Sequence, residues 1–104
     1  MITGGMGFIG SHLCELLLSK KHSVIIITKS FSKKQNVSNI SKKLKIEKID
    51  VTNFKKLGQS IRKNKPDIII HLAGQTSHLK SFEQPFIDIE SNAKSTLFIL
   101  DEIR

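Results

Sequence analysis

The residues best placed to do chemistry are three closely spaced glycines near the start of the chain. Gly5, Gly7 and Gly10 give the pattern Gly-x-Gly-x-x-Gly, between a strand signal and a helical signal. In such a unit the first glycine allows a tight turn, the second lets the backbone approach a pyrophosphate, and the third lets the helix pack closely on the strand. Backbone amides at the helix start then face the negative charge. The pattern therefore favours a dinucleotide-binding turn over a plain glycine-rich connection.

Other residue types that often do chemistry lack partners at motif spacing. His12, His71 and His78 have no acidic residue placed to form a catalytic pair, so no catalytic residue is predicted. Cys14 is the only cysteine, which excludes a disulfide within the chain and argues against a cysteine-based metal site. We therefore predict no metal site and assign Cys14 to helix packing.

Hydrophobic spacing defines the elements that must position the glycine turn. Ile9, Leu13, Leu16 and Leu17 share one helical face, whereas the uninterrupted run Val24 to Ile27 is typical of a strand buried on both faces. The first half is predicted to contain strand 1–3, helix 8–20, strand 24–27, loop 29–43 and strand 44–49. A second helix starts at 54, after a cap at Thr52 or Asn53, and residues 64–67 stop it. Strand 67–71, an extended loop over 72–85 with room for one helical turn, and a helix over 89–103 complete the prediction.

Alternation of strands and helices predicts an α/β fold with a Rossmann-type parallel sheet and helices on both faces. Right-handed crossovers place the strands in the order 3-2-1-4. Residues 1–104 are predicted to form one partial dinucleotide-binding domain, without internal repeats or an internal boundary.

Charge and apolar content limit the choice of partner. The net charge is +8, but 15 of the 17 basic residues are Lys, and base reading and bidentate phosphate contacts favour Arg. A solvated lysine-rich surface is therefore favoured over a nucleic-acid face. The apolar runs are far shorter than the roughly 20 residues that cross a bilayer. With no signal peptide and a single cysteine, we expect a cytoplasmic protein that binds no membrane.

The stretch from Thr3 to Leu13, Thr-Gly-Gly-Met-Gly-Phe-Ile-Gly-Ser-His-Leu, resembles the opening of the extended short-chain dehydrogenases/reductases, the nucleotide-sugar epimerases and dehydratases. The resemblance implies that Asp50 and Val51 contact the adenine ring, that the stretch His71 to Gln75 lines the middle of the cofactor, and that Asn92 is the asparagine typical of the following helix. Together with the glycine turn, it predicts these cofactor-binding residues: Gly4, Gly7, Phe8, Ile9, Gly10, Thr28, Lys29, Asp50, Val51, Leu72, Ala73, Gly74 and Asn92.

The end of the second predicted strand departs from the family pattern. Thr28 stands where the family often has Asp, whose carboxylate holds the ribose 2′-OH of NAD. Lys29, Lys33 and Lys34 follow and are able to accept the 2′-phosphate of NADP. The cofactor is therefore predicted to be NAD or NADP, with a lean towards NADP; the alternative is that these lysines belong to the general lysine excess.

The resemblance also implies a fold truncated at both ends. Only Met1 and Ile2 precede Thr3, and the family's catalytic Tyr-x-x-x-Lys lies downstream of the region covered; the chain contains no Tyr. We expect the NAD(P)-binding N-terminal portion of a nucleotide-sugar epimerase or dehydratase, inactive by itself, which meets a nucleotide sugar only if the C-terminal part is supplied. The alternative is a non-catalytic dinucleotide-binding module. An incomplete sheet also predicts self-association through its exposed surface.

Overall fold

Four parallel strands form the centre of the structure, a computed structural model that describes residues 1–104. They are β1 (Ile2–Thr3), β2 (Val24–Thr28), β3 (Leu44–Lys48) and β4 (Ile70–His71), and they pair in the order β3-β2-β1-β4. Ile2 lies opposite both Ile26 and Ile70, so the short β1 is hydrogen-bonded on both sides. This order confirms the predicted 3-2-1-4 topology and leaves β4 at one edge of the sheet.

Helical elements follow every strand: α-helices follow β1, β3 and β4, and a 3₁₀ segment follows β2. They are α1 (Phe8–Ser19), the 3₁₀ segment (Lys34–Lys43), α2 (Phe54–Asn64), α3 (His78–Glu83), α4 (Pro85–Ile89), a π-helical segment (Glu90–Lys94) and α5 (Ser95–Glu102).

The sheet carries an apolar layer on each face. Neighbouring residues of a strand point to opposite faces, and Ile26 and Ile27 accordingly belong to different clusters. Ile26 packs with Ile2, Met6, Cys14 and Val37 under α1 and the 3₁₀ segment. On the other face Ile27 packs under α2 and α5, with Val51, Leu57, Ile61 and Ile99. Helices therefore cover both faces, as the sequence pattern predicts.

The prediction of a loop over 29–43 was wrong for the 3₁₀ segment. Its sequence is polar, but Val37 is fully buried beside Met6, and Ile40 packs against the same cluster. These two residues are three apart, which places them on one side of a 3₁₀ helix. The segment thus covers the edge of the face that α1 leaves open.

Other boundaries differ only slightly from the predictions. Asn53 caps α2 by accepting a hydrogen bond from the Lys56 amide (3.1 Å), and α2 ends where Lys65 adopts a left-handed conformation (φ +43°). Strand β4 covers only the last two residues of the predicted strand 67–71, because β1 offers just two residues for pairing. The final helix begins at Pro85, and the π-helical segment interrupts it. No helix in the structure has the length and apolar character needed to cross a membrane.

Candidate functional site

A cleft of about 690 Å³ lies where the four strands end at their carboxyl side. The chain runs from β1 outward to β2 and β3 and then returns to β4 on the other side of β1. The connections diverge at this point, which is where parallel α/β sheets bind ligands. A smaller cleft of about 220 Å³ lies at the opposite end of the sheet, and none of the predicted site residues lines it.

Most of the predicted cofactor-binding residues line the larger cleft. They are Gly4, Gly7, Thr28, Lys29, Asp50, Val51, Leu72, Ala73 and Gly74. Phe8, Ile9, Gly10 and Asn92 do not line it. The side chains of Phe8 and Ile9 are 77% and 67% exposed and do not line the cleft. Only their backbone amides are therefore available to a ligand there.

The tight bend of the glycine turn lies at Gly4. Gly4 has φ +70°, and a Cβ there would lie 2.9 Å from the Ala73 nitrogen. Gly5 has no positive φ, and a Cβ on it would meet the side chain of Ile26 at 2.8 Å. The assignment of the tight turn to Gly5 was therefore wrong, because Gly5 is needed for packing against β2 and Gly4 for the bend.

Gly10 has the predicted packing role, whereas a side chain on Gly7 would meet mostly open space. A Cβ at Gly10 would lie 2.5 Å from the Gly4 carbonyl oxygen, so only glycine lets α1 approach the turn this closely. A Cβ at Gly7 would meet only that same oxygen, at 3.1 Å, and otherwise open space. Gly7 therefore provides the uncovered backbone that a ligand can approach.

The first turn of α1 offers free amides beside Gly7. Gly7 caps the helix with an extended ψ of 175°, and the Ser11 amide donates the first helical bond to the Gly7 carbonyl (2.9 Å). The amides of Phe8, Ile9 and Gly10 precede that bond and donate to no backbone carbonyl. Free amides of this kind, at the positive end of a helix dipole, are able to bind an anion.

Asp50 and Lys29 form the rim of the cleft beyond β2 and β3. The Asp50 carboxylate accepts hydrogen bonds from the Thr52 amide (3.0 Å) and hydroxyl (2.8 Å) and lies 3.6 Å from the Lys29 ammonium. Burial works to raise the pKa of Asp50, but the Thr52 hydrogen bonds and Lys29 outweigh it, so the pKa lies below its usual value. Asp50 is therefore a charged carboxylate near neutral pH.

The Thr28 hydroxyl at the end of β2 has no proton free to donate to a ligand. It donates to the Ser30 carbonyl (2.8 Å), which holds the chain as it leaves the strand. Lys29 and Lys33 follow along the wall of the cleft. The end of β2 is therefore lined by ammonium groups and lacks the carboxylate that holds a ribose 2′-OH.

Asn92 acts on the cleft through the backbone of the segment that follows β4. Its Oδ1 accepts a hydrogen bond from the Gln75 amide (2.7 Å), and its Nδ2 donates to the Gln75 carbonyl (3.0 Å). A Cβ at Gly74 would lie 2.7 Å from Asn92 Oδ1, so glycine is needed for this approach. Asn92 thus holds the wall formed by Leu72, Ala73 and Gly74 rather than lining the cleft itself.

A polar network beneath this wall was missed by the sequence analysis. The Leu72 and Ala73 amides donate to Thr3 Oγ1 (3.2 and 3.1 Å), which also lies 2.6 Å from His71 Nδ1. Since the two amides occupy the lone pairs of the hydroxyl, its single proton is donated to Nδ1. Only the register between β1 and β4 places Thr3 opposite His71, and no spacing in the sequence signals it.

The same network fixes the proton on the other imidazole nitrogen. Nε2 carries the hydrogen of His71 and donates to Ser95 Oγ (3.0 Å), whose hydroxyl donates to the Ser91 carbonyl (2.6 Å). Burial lowers the pKa of His71 below its usual value of 6.5. His71 is therefore a neutral link between the end of β1 and the helix that follows the cleft.

Comparisons with known proteins agree with this architecture. The sequence matches the GDP-mannose 4,6 dehydratase family over residues 1–104. The chain belongs to this family. It is 36% identical to the dTDP-D-glucose 4,6-dehydratase of Dictyostelium discoideum over 107 residues, which cover 97% of the chain and 25% of that protein. It is 34% identical to the CDP-paratose 2-epimerase of Salmonella typhi over 109 residues, which cover the whole chain and 32% of that protein.

A solved structure extends the likeness to three dimensions. The UDP-glucose 4-epimerase of Thermus thermophilus, in complex with NAD, superposes with a TM-score of 0.84 at 31% identity, over 97% of the chain and 32% of the epimerase. The chain therefore spans about a third or less of the length of these family members. The fold is the NAD-binding, Rossmann-type fold of the epimerases and dehydratases, which confirms the resemblance drawn from the glycine turn.

Proposed function

We propose that these 104 residues are the NAD(P)-binding portion of a nucleotide-sugar epimerase or dehydratase. The observation that carries the proposal is the turn at Gly7, where open backbone meets the unpaired amides of Phe8, Ile9 and Gly10 at the mouth of the cleft. A pyrophosphate needs such closely spaced donors and the absence of a side chain. The volume of about 690 Å³ lies within the roughly 300–1,000 Å³ typical of ligand sites.

We propose a place for each part of the cofactor from the positions of the residues that line the cleft. The amides at the start of α1 hold the pyrophosphate, and Asp50 and Val51 at the end of β3 take the adenine side. The middle of the cofactor then lies against Leu72, Ala73 and Gly74, which line the cleft after β4. Once bound, the nicotinamide supplies a hydride acceptor and donor for a sugar carbon. The residues of this chain bind and orient the dinucleotide.

The choice between NAD and NADP depends on the end of β2. The epimerase of Thermus thermophilus is a complex with NAD. In this chain Thr28 supplies no carboxylate, whereas Lys29 and Lys33 line the cleft nearby. Lys29 is paired with Asp50, whereas Lys33 has no ion pair; because a free cation favours a 2′-phosphate, we propose that Lys33 lets the chain accept NADP at least as well as NAD.

Catalysis requires groups that the chain does not contain. The resemblance to the family implies a Tyr that transfers the hydroxyl proton and a Lys that lowers its pKa, and this sequence has no Tyr. We therefore propose that the 104 residues bind the dinucleotide without turning over a sugar. The similar proteins are a dTDP-D-glucose 4,6-dehydratase, a CDP-paratose 2-epimerase and a UDP-glucose 4-epimerase, so the nucleotide differs within the family. A nucleotide sugar is proposed as the partner once the remaining part is supplied.

The alternative function is a non-catalytic dinucleotide-binding module, and an in-frame Tyr-x-x-x-Lys in the DNA downstream would decide against it.

A cytoplasmic location is proposed because Cys14 is free and buried, and a chain without disulfides needs no oxidising compartment.

Calorimetric titration of the folded chain with NAD, NADP and ADP tests the proposed function. We expect saturable binding of all three below about 1 mM, a range that covers most cofactor and substrate affinities of enzymes. We also expect no turnover of UDP-glucose or dTDP-glucose. Folded protein that binds none of the three ligands would overturn the binding proposal, and measurable sugar turnover would overturn the assignment as a binding portion alone.

A further inference from the structure

The 3₁₀ segment touches the phosphate-binding turn through one side chain. Asn36 Nδ2 donates a hydrogen bond to the Met6 carbonyl (3.0 Å), which lies between Gly5 and Gly7. No backbone amide donates to this carbonyl, so Asn36 is its only protein donor. The next residue, Val37, is fully buried against Met6, which anchors the segment directly beside the turn.

The main chain of Asn36 bonds to a second part of the site. Its amide donates to the Lys33 carbonyl (3.0 Å), and Lys33 lines the cleft beyond β2. Asn36 therefore bonds both to Lys33, which lines the cleft beyond β2, and to the turn with the proposed pyrophosphate-binding amides. Met6 belongs to no helix or strand, and two hydrogen bonds hold the peptide group that joins it to Gly7: the Gly7 amide donates to the Gly4 carbonyl (2.9 Å) within the turn, and Asn36 donates to the Met6 carbonyl from outside it.

We propose that Asn36 is a positioning residue for dinucleotide binding: its side-chain amide fixes the Met6 peptide, and thereby the orientation of the Gly7 to Gly10 amides. This inference rests on the proposed function, because it assigns the anion at that turn to a dinucleotide pyrophosphate. The bond contributes to binding through pre-organisation, since a turn already held in place loses less conformational freedom when the ligand binds.

Replacement of Asn36 by Ala, with Asn39→Ala as the matched control, tests this role. Asn39 lies in the same 3₁₀ segment, is exposed, and its side chain makes no hydrogen bond. Affinities for ADP and for adenosine are measured by titration and ligand-observed NMR. Asn36→Ala should weaken ADP binding about three- to tenfold, the value of one net hydrogen bond. Adenosine lacks the pyrophosphate, so its affinity should change less than about twofold, and Asn39→Ala should change neither.

Hydrogen exchange separates this inference from the proposed function. In the ligand-free chain, Asn36→Ala should speed exchange of the Gly7 and Ser11 amides, which are the hydrogen-bonded amides of the turn, and Asn39→Ala should leave it unchanged. Equal losses of ADP and adenosine affinity, or unchanged exchange at the turn, would overturn the role of Asn36. Failure of the wild-type chain to bind ADP and NAD would overturn the proposed function, and the exchange experiment would still decide whether Asn36 orders the turn.

Discussion

Single residues of the glycine turn differ in what a side chain would meet, and this separates folding from binding. At Gly10 a Cβ would lie 2.5 Å from the Gly4 oxygen and 2.7 Å from the Gly5 Cα, and both are backbone atoms that cannot easily shift. Overpacking of this kind costs about 1–3 kcal/mol. We expect Gly10→Ala to lower the free energy of unfolding by that amount, measured by urea denaturation.

Gly7→Ala should have the opposite profile. Gly7 has φ −68°, which alanine adopts without strain, and its Cβ would meet a single atom at 3.1 Å. The unfolding free energy should therefore change by less than about 1 kcal/mol. The added methyl group covers open backbone at the proposed pyrophosphate site, so NADH affinity, followed by nicotinamide fluorescence, should fall at least about tenfold. Equal NADH affinity of Gly7→Ala and wild type would contradict the assignment of the pyrophosphate to this turn.

His71 predicts a pH dependence of stability. Its pKa is lowered in the folded chain by burial, so below about pH 6.5 the unfolded chain binds the additional proton. The contribution of His71 to the free energy of unfolding should be constant above that pH and should fall as the pH drops through the usual pKa of histidine. Asp50 and Glu47 also have lowered pKa values, but their stabilising effect is lost only at more acidic pH, near and below the usual values of carboxylates.

Substitution of His71 by Asn isolates this contribution. The Asn oxygen can still accept from the Thr3 hydroxyl but does not titrate, so the fall in stability between about pH 7 and 5.5 should become shallower. His22→Asn serves as control, because His22 is exposed beyond the end of α1. Urea denaturation at several pH values measures both. An unchanged slope in His71→Asn would show that another group dominates this pH window.

The residues that were predictable from the sequence are those whose role depends on local backbone chemistry. Gly7 and Gly10 follow from their spacing after a strand and Asp50 from the family resemblance, and the structure places each of them at or beside the cleft. The Thr3–His71 pair was not predictable, because its two members lie 68 positions apart and meet only through strand register. The tight turn was misassigned to Gly5 since adjacent glycines give no signal of which one has the positive φ.

At the scale of elements, the last helix contains a π-helical turn beside the cleft. Its middle turn is the π-helical segment, and Asn92 lies within that turn. Such insertions often occur at functional sites. The hydrophobic pattern predicted a long helix here, but apolar spacing carries no information about one wider turn, so neither the π-helical segment nor the start at Pro85 was predicted.

Asn92→Ala should loosen the wall that follows β4. The variant removes both hydrogen bonds to Gln75, so the amide exchange of Gln75 should become faster. NADH affinity should fall about three- to tenfold, as expected for lost pre-organisation. Thr96→Ala is the control, since its hydroxyl donates only to the Asn92 carbonyl within the helix. Exchange at Gln75 as slow as in the wild type would mean that other contacts hold this segment.

At the scale of the whole molecule, apolar exposure is concentrated on the last helices. Phe86, Ile89, Leu97 and Leu100 recur at intervals of three, eight and three along α4, the π-helical segment and α5, and all are exposed. The edge strand β4 contributes less, with Ile68 just before it as its main exposed apolar residue. The sequence analysis predicted self-association through the sheet, whereas the distribution of exposed side chains favours the helical stripe. Contiguous apolar surface of this kind marks sites that become covered.

We expect the 104-residue chain to self-associate through this stripe at concentrations of tens of micromolar and above. Sedimentation velocity over a concentration series measures the distribution of species. A double variant, Phe86→Lys with Leu97→Lys, replaces side chains that are 82% and 68% exposed, so it should raise the monomer fraction with little change in unfolding free energy. Leu16→Lys, on α1, is the control for added charge, and Ile68→Lys tests the sheet edge. Association abolished only by Ile68→Lys would restore the sheet as the interface, and a wild-type chain that stays monomeric throughout would exclude both surfaces, because apolar contact grows with concentration by mass action.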